Sequence, residues 1–406
     1  MKLQVSITHS LMALLLVMIS LWCIEGAVQA TTKQLEVQQH LKQLNKPAVK
    51  SIKSPDGDII DCVHISHQPA FDHPLLKNHT IQMRPSFRPL GLYDEQKETS
   101  PIRQLWHQNG RCPKDTIPIR RTKKDDVLRA SSIERYGKKM HRTIQNPTSV
   151  GLDQYNISAR EVATVFVSGV KTFFGAKAIM NAWNPKVEGP DQFSASEMSL
   201  VGEGILNTIQ AGWHVHPSLY GDNKTRLFAY WDSNWKLGIG CWNLVCPGFV
   251  QVNKDIALGA AVDPISIYDG NQYDITIMIY KDPNTTDWWL EYGNRIPLGY
   301  WPTSILPNLN DGASLVEWGG EVVNPKLSHQ HTTTEMGSGH FPEEGFGKAS
   351  YFKNIQIVLS DNVLLDPTNI GSSITQSSCY NVHNDHSTDW GYYFYYGGPG
   401  QNPNCQ

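Results

Sequence analysis

Two short runs decide the fold of this chain, IQAGW at 209–213 and VEWGGE at 316–321. Apolar and polar residues alternate in both runs, which predicts β-strands whose successive side chains point to opposite faces of a sheet. Gln210 therefore points away from the apolar residues of its own strand. Glu317 and Glu321 share one face of the second strand, unless the glycine pair forms a bulge that switches the parity. Both strands thus aim polar side chains away from the core, where they can meet across a cleft.

The surrounding sequence predicts an all-β domain over residues 155–406. Short segments rich in Val, Ile, Tyr, Phe and Trp are separated by Gly, Pro, Asn and Asp turns, without a long helical period. Strands that follow one another at this density typically form two stacked antiparallel sheets. The expected fold is a two-sheet antiparallel β-sandwich preceded by a smaller domain.

Composition and the N-terminus indicate an extracellular protein. The chain has 406 residues, a formal net charge of −3 and 40% hydrophobic residues, which suits one large and one small domain and does not suggest a nucleic-acid partner. Lys2, an apolar stretch at 11–22 and small residues up to Ala30 predict a signal peptide over residues 1–30. A membrane anchor would need about 20 apolar residues, more than this stretch provides. We therefore expect a secreted protein with no membrane contact once the signal peptide is removed.

Cysteine and asparagine positions fit the same compartment. Once Cys23 leaves with the signal peptide, an even set of cysteines remains, and an oxidising compartment favours pairing them in one of many arrangements. A zinc site is the alternative, but paired Cys-x-x-Cys motifs are missing from the set. Asn-x-Ser/Thr sequons predict a glycosylated surface. The cysteines are Cys62, Cys112, Cys241, Cys246, Cys379 and Cys405, and the sequon asparagines are Asn78, Asn156, Asn223 and Asn284.

The segment before the sandwich divides into a small module and a basic stretch. Leu35, Leu41 and Leu44 among polar residues predict a short amphipathic helix. Residues 31–121 are interpreted as the small module and residues 122–154 as a linker, because Arg and Lys dominate between Arg120 and Arg142. Such a run is typical of a solvated linker and also of a processing site, and we expect both.

Several further motifs follow one another along the chain. They are Tyr220-Gly221-Asp222, Cys246-Pro247-Gly248-Phe249-Val250-Gln251, Gly299-Tyr300-Trp301-Pro302, Met336-Gly337-Ser338-Gly339-His340-Phe341-Pro342 and Tyr396-Gly397-Gly398-Pro399-Gly400. With the two opening runs, they resemble the neprosin family of plant secreted glutamic peptidases from about Ile59 to the C-terminus. The resemblance implies a prolyl endopeptidase with two catalytic glutamates on a β-sandwich, made with an N-terminal activation peptide. It also implies the disulfides Cys62–Cys112, Cys241–Cys246 and Cys379–Cys405, the first of which staples an activation domain at 31–121.

One of the two catalytic positions departs from the family pattern. Glu321 falls on the second glutamate of the family motif, whereas the first position holds Gln210. A carboxamide cannot exchange a proton, but its N–H₂ group is a permanent donor that can polarise a peptide carbonyl. Glu321 would then be the only base and acid, an arrangement that resembles the glutamine and glutamate pair of the eqolisins, fungal glutamic peptidases. The alternative is a catalytically silent sandwich that binds peptide or cell-wall glycan.

A glutamate also appears close to the position where one is missing. The family usually has a Ser/Thr-Gln-Ile-Trp run where this chain has Ser196-Glu197-Met198-Ser199. One hypothesis is that Glu197 lies beside Gln210 on the adjacent strand and restores a carboxylate to the cleft. The preferred interpretation is a solvated surface glutamate, because charged side chains are rarely buried. Further cleft candidates are Glu317, Trp213 and Trp318.

Two other site chemistries compete with a peptidase. Glu317 and Glu321 suggest the carboxylate pair of a glycosidase, but residues four apart on a regular strand lie about 13 Å apart, beyond the roughly 5–9.5 Å that such enzymes need. A metal site would use histidines, yet no carboxylate is placed as a clear third ligand, so hydrogen-bonded histidines are preferred. The histidines are His214, His216, His329, His331 and His340.

The combined expectation is a secreted, monomeric zymogen of the apoplast or cell wall. Its substrate would be a proline-rich peptide or protein, cleaved near proline at acidic pH. Its own activation peptide would cover the cleft until a cut in the basic linker. We expect no metal and no cofactor.

Overall fold

The structure is a computed structural model that describes residues 33–91, 103–139, 159–205, 207–234, 239–293, 295–324 and 330–406. Within these ranges no helix has the length and apolar character needed to cross a membrane. The predicted signal peptide and the sequon at Asn156 lie outside the described residues.

The N-terminal domain, residues 33–91 and 103–139, is built around one antiparallel sheet. Its strands are β1 (Ala48–Lys53), β2 (Ile59–His64) and β3 (Thr116–Arg120), with β2 in the centre. A disulfide joins Cys62 to Cys112, as the resemblance implies. Residues 33–44 form helix α1, and helix α2 is Lys124–Arg129. Short 3-10 helices occupy Ile65–His67, Pro69–Asp72, Pro74–Leu76, Leu105–Asn109 and Ile133–Arg135.

The remaining strands form two antiparallel sheets, which we call the front sheet and the back sheet. The front sheet comprises β4 (Ala159–Phe173), β6 (Ser194–Val201), β7 (Thr208–Val215), β8 (Thr225–Asn234), β9 (Ile239–Trp242), β14 (Ala313–Asn324) and β17 (Gly371–Ile374). Its order is β17-β4-β14-β6-β7-β8-β9. Helix α3 (Pro217–Tyr220) follows β7. Further 3-10 helices occupy Glu203–Ile205, Thr303–Ile305, Pro307–Leu309 and Pro342–Glu344.

The back sheet packs behind the front sheet. It comprises β5 (Gly175–Asn181), β10 (Val250–Gln251), β11 (Asp274–Lys281), β12 (Trp288–Tyr292), β13 (Ile296–Trp301), β15 (Ser350–Val358), β16 (Leu364–Leu365), β18 (Asn381–Ser387) and β19 (Gly391–Gly397). Its order is β10-β13-β12-β11-β5-β15-β19-β18, and β16 pairs with β15. The predicted two-sheet antiparallel β-sandwich is therefore confirmed.

The main core lies between the two sheets and fixes which way each front strand faces. Trp213 and Trp318 are fully buried in it, and the indole N–H of Trp213 donates to the carbonyl oxygen of Asn181 in the back sheet at 2.9 Å. The expectation that these two tryptophans line the cleft is wrong. Strand alternation that turns Gln210 and Glu321 outward turns their tryptophan neighbours inward.

The glycine pair of β14 does not form a bulge. The pairing of β14 with β4 and β6 runs without a register shift from Leu315 to Val322. Gly319 has a φ of 150°, and a Cβ there would lie 2.4 Å from the carbonyl oxygen of Ala163. Only glycine fits this position, and the predicted parity of Glu317 and Glu321 is kept.

A second buried cluster covers the outer face of the front sheet. It joins side chains of that sheet to side chains of the N-terminal domain, so this domain lies over the face that carries the polar residues. Helix α1 contributes Val37, with Leu41 and Leu44 packed against the cluster, whereas the predicted contact residue Leu35 is exposed. The other main members are Val127, Tyr136, Phe193, Phe228, Tyr230 and Trp242.

The basic stretch is only partly solvated in the part that the structure describes, since Lys123 and Lys124 are exposed whereas the side chains of Arg120 and Lys139 are buried. Arg120 pairs with Asp58 at 3.0 Å and Asp126 at 3.1 Å, and Asp58 also accepts from the fully buried Arg226 of β8 at 2.5 Å. Lys139 is only 3% exposed. These cations are buried because each meets a carboxylate. The processing site stays a prediction, and residues 140–158 lie outside the described ranges.

The remaining cysteine and sequon expectations can be placed on the fold. Disulfides join Cys241 to Cys246 and Cys379 to Cys405, as the resemblance implies. The described sequon asparagines, Asn78, Asn223 and Asn284, are exposed. Their glycosylation stays a prediction.

Replacing Trp318 by alanine should lower the free energy of unfolding by about 3–5 kcal/mol, because it empties a buried site between the sheets. Ile374→Ala, on the partly exposed edge strand β17, should change it by less than about 0.5 kcal/mol. Denaturant unfolding followed by circular dichroism measures both values. Unchanged stability with weakened peptide binding in Trp318→Ala would contradict its placement in the core.

Candidate active site

Three neighbouring strands of the front sheet bring Gln210, Glu197 and Glu321 together. Strand β6 lies between β7 and β14, and its Glu197 pairs with Gly212 on one side and Gly319 on the other. Gln210 and Glu321 each lie two residues from these glycines, in opposite directions along the sheet. The three side chains therefore form a diagonal row on the outer face, with Glu197 in the centre.

The interpretation of Glu197 as a solvated surface residue is wrong. Its side chain is 4% exposed, and the hypothesised contact with Gln210 is present, since Gln210 Nε2 donates to Glu197 Oε1 at 2.8 Å. Alternation along β6 places Glu197 on the outer face of the front sheet, and the N-terminal domain buries it there.

Gln210 is held with its carbonyl end towards the cleft. Its Nε2 donates to Glu197 Oε1 and to Ser199 Oγ, the latter at 2.9 Å, while its Oε1 accepts from Lys139 Nζ at 3.0 Å. Both amide hydrogens are thus bonded within the sheet. This orientation differs from the expected one, in which the amide donates to a substrate carbonyl.

Glu321 carries the negative charge of the site between two cations. Its Oε2 lies 2.7 Å from Lys139 Nζ and 3.1 Å from Arg160 Nε. The Arg160 guanidinium, on β4, also lies 3.7 Å from Glu197 Oε1 and 3.7 Å from Glu317 Oε2. One half-exposed arginine therefore faces three carboxyl groups.

The ammonium of Lys139 lies between Gln210 and Glu321. It comes from the end of the N-terminal domain and approaches the rings of Phe193, Tyr230 and Trp242, whose centroids lie 5.8, 5.4 and 5.3 Å from Nζ. Since one small cation meets both polar side chains, it fills the space between them.

The two carboxyl groups differ in protonation. Burial raises the pKa of Glu197 to about 8, and repulsion by Glu321 adds to this effect against the attraction of Lys139 and Arg160. Burial would also raise the pKa of Glu321, but Arg160, Lys139 and a hydrogen bond from Glu197 together lower that pKa to about 2. Between these values Glu197 holds a proton and Glu321 is ionised, which is the division that acid–base catalysis by two carboxyls requires.

Glu317 lies at the edge of the site rather than in the diagonal row. Its Oε1 accepts from Thr164 Oγ1 at 2.6 Å, and Arg160 lies between it and Glu321. The glycosidase alternative depended on a direct pair of Glu317 and Glu321, whereas Glu321 has Glu197 as its carboxyl neighbour.

The four candidate histidines that the structure describes contact side chains other than Gln210, Glu197 and Glu321. His214 Nε2 lies 2.8 Å from Tyr220 Oη, His331 Nε2 lies 2.7 Å from a carboxylate oxygen of Glu161, and His340 Nδ1 lies 2.9 Å from one of Glu344. The ring of His216 stacks on that of Phe193. His331 also approaches Cys379 and Cys405, but those two sulfurs form a disulfide. His329 lies outside the described residues.

Sequence analysis did not identify Lys139, Arg160 or Ser199 as site residues. Strand parity places Ser199 on the same face as Glu197, so that signal was available. Lys139 belongs to a dibasic pair that suggests only a linker or a cut, and Arg160 needs the pairing of β4 with β14 to be known.

The chain matches two protein-family models and is similar to solved structures of glutamic peptidases. Residues 190–399 match the family model described as Neprosin, and residues 51–166 match the one described as Neprosin activation peptide. Scytalido-glutamic peptidase with a peptide-based transition state analog is similar at 11% identity and a TM-score of 0.32, over 60% of this chain and 99% of that chain. SCP-B, an eqolisin family member in complex with the tripeptide Ala-Ile-His, is similar at 12% identity and a TM-score of 0.31, over 59% of this chain and 98% of that chain.

Replacing Arg160 by glutamine should lower the free energy of unfolding at neutral pH by about 1–3 kcal/mol, since the buried Glu321 carboxylate loses one of its two cations. Glu321 has a pKa lowered from 4.5 to about 2, so its ion pairs stabilise the fold above pH 4.5 and are lost as the pH falls towards 2. The penalty should therefore shrink in acid. Denaturant unfolding at neutral pH and at about pH 2 measures this loss of free energy, with Arg160→Lys as the charge-conserving control. An equal penalty at both pH values would contradict this ion-pair assignment.

Proposed function

The chain belongs to the neprosin family of peptidases and carries that family's activation peptide, and we propose that it is a secreted glutamic-type endopeptidase that cleaves next to proline. It is made as a zymogen, and its N-terminal domain covers the cleft. The observation that carries the proposal is the position of Lys139 Nζ, within hydrogen-bonding distance of both Gln210 Oε1 and Glu321 Oε2. A water molecule in the same space would meet the same two groups.

Glu321 acts as the base in this proposal. Its ionised carboxylate takes a proton from water while the water oxygen attacks the scissile carbonyl carbon, and it later returns that proton to the departing nitrogen. Gln210 is the second polar group of the pair, in the position where the resemblance implies a glutamate.

The proline preference is supported by an aromatic wall beside the two groups. Phe193, Tyr230 and Trp242 turn towards Lys139 Nζ in the covered form. Without the ammonium, these rings, which are tilted against one another, offer an apolar wall against which a proline ring can pack. They take the place in the cleft for which sequence analysis named Trp213 and Trp318.

Secretion into the apoplast or cell wall is supported by the predicted signal peptide and by the pairing of all six cysteines in the described residues. Disulfides persist in oxidising compartments and are rare in the cytosol. Exposed sequons fit the same location.

Replacing Glu321 by glutamine should reduce hydrolysis of a proline-containing peptide by at least about 10²–10⁴-fold, because the base is lost. Two peptides that differ by one Pro-to-Ala exchange serve as substrates, and mass spectrometry of the products measures both rate and position. Equal cleavage of the two peptides would contradict the proline preference. Peptide binding without turnover by the wild-type protein would support the silent module instead.

The full chain should be latent at neutral pH, and acid treatment between pH 4.5 and 2 should release Lys139, so that hydrolysis appears when Glu321 is ionised again in the assay. The Glu321 carboxylate that holds Lys139 has its pKa lowered into this window, and its protonation removes the ion pair. Lys139→Met should hydrolyse peptide without acid treatment. Lys138→Met removes the adjacent charge and should stay latent, and product formation before and after acid treatment compares the three proteins. An acid requirement that persists in Lys139→Met would contradict the latch.

A further inference from the structure

Glu197 occupies the centre of the diagonal row, but a catalytic pair of Gln210 and Glu321 leaves it without a role in the reaction. Its paired positions on β7 and β14 are Gly212 and Gly319, so no cross-strand side chain covers it on the outer face. No group in the described part of the chain donates a hydrogen bond to its Oε2, which lies 3.8 Å from Lys139 Nζ. A buried carboxyl oxygen without a donor is costly unless the carboxyl itself carries a proton.

The surrounding charges decide which carboxyl holds that proton. Glu321 lies 2.7 Å from Lys139 and 3.1 Å from Arg160, whereas Glu197 lies 3.8 and 3.7 Å from the same two cations. Two neighbouring carboxyls do not both ionise readily, and the one with the closer cations takes the negative charge. The asymmetry towards Arg160 persists when Lys139 leaves. Burial, followed by repulsion from Glu321, raises the pKa of Glu197 in agreement with this order.

We infer that Glu197 is the second catalytic carboxyl of this peptidase and supplies the proton that Gln210 cannot. This inference rests on the proposed function and deepens it. Gln210 is then a positioning residue: its amide donates to Glu197 Oε1 and leaves Oε2 to carry the transferable proton. Glu197 and Glu321, diagonal neighbours on adjacent strands, form the acid and base pair.

The proton transfers balance over one turnover. Glu321 removes a proton from water as the water oxygen bonds to the carbonyl carbon, while the Glu197 acid gives its proton to the carbonyl oxygen. When the C–N bond breaks, Glu321 delivers its proton to the nitrogen, and Glu197 recovers one from a hydroxyl of the tetrahedral intermediate. One water is consumed, and both carboxyls return to their starting states.

The test exchanges the amide and the carboxyl between the two strands. Glu197→Gln, Gln210→Glu and the double variant are made in the full chain that also carries Lys139→Met, so that the latch does not affect the pH profile. Glu203→Gln, exposed just beyond the end of β6, is the matched control. The groups that act on Glu197 are Lys139, Arg160, Glu321 and, from β8, Tyr230.

We expect Glu197→Gln to lower kcat by about 10²–10⁴-fold and to abolish the alkaline limb of the pH profile, with KM little changed. The double variant should recover at least about tenfold over Glu197→Gln, because it keeps one carboxyl, one amide and the hydrogen bond between them. Unchanged kcat in Glu197→Gln, or no recovery in the double variant, would overturn the inference. If the Lys139→Met parent does not cleave peptide even after acid treatment, or if Glu321→Gln stays active, the proposed function fails instead.

Discussion

The buried negative charge of Glu321 is the constraint on which the site depends. A carboxylate that is 2% exposed is stable only with cations close to it, and here Arg160 and Lys139 provide them from two different parts of the chain. Arg160 belongs to the sandwich, whereas Lys139 belongs to the N-terminal domain. The same ion pair therefore completes the fold of the covered form, and in the proposed zymogen it also blocks the cleft.

The N-terminal domain is anchored by a second charge network of the same kind. Asp58 of this domain accepts from Arg120 and from Arg226, a fully buried residue of β8, and desolvation of Asp58 is outweighed by these two arginines, which lower its pKa. This network stays paired only while Asp58 is ionised. Like the Glu321 ion pairs, it is lost when acid protonates its carboxylate. Strong acid therefore weakens both attachments, while the apolar contacts of α1 and Tyr136 with the second cluster do not titrate.

Much of the fold could be predicted from strand parity, and the failures have a physical cause. Alternation correctly placed Gln210, Glu317 and Glu321 on one face, because a strand has a side-chain period of two whatever its neighbours are. The same rule excludes Trp213 and Trp318 from the cleft, where composition alone had suggested them. Lys139 could not be predicted, since its contacts with residues 71 and 182 positions away exist only once the N-terminal domain has docked. Glu197 was expected to be solvated because glutamate is rarely buried on average. That average takes no account of a domain that covers the face of the sheet.

The central strand position explains how one sheet can tolerate a carboxyl on either of two strands. A side chain on β6 reaches β14 directly, whereas Gln210 on β7 is one strand farther from Glu321. Glycine on both sides of Glu197 leaves its head group free to turn towards either neighbour. A hydrogen-bonded amide and carboxyl on adjacent strands can therefore exchange places without changing the net charge or the number of buried donors. Whether such a site is active depends on the carboxyls that share the face, and a single substituted position on one strand does not decide it.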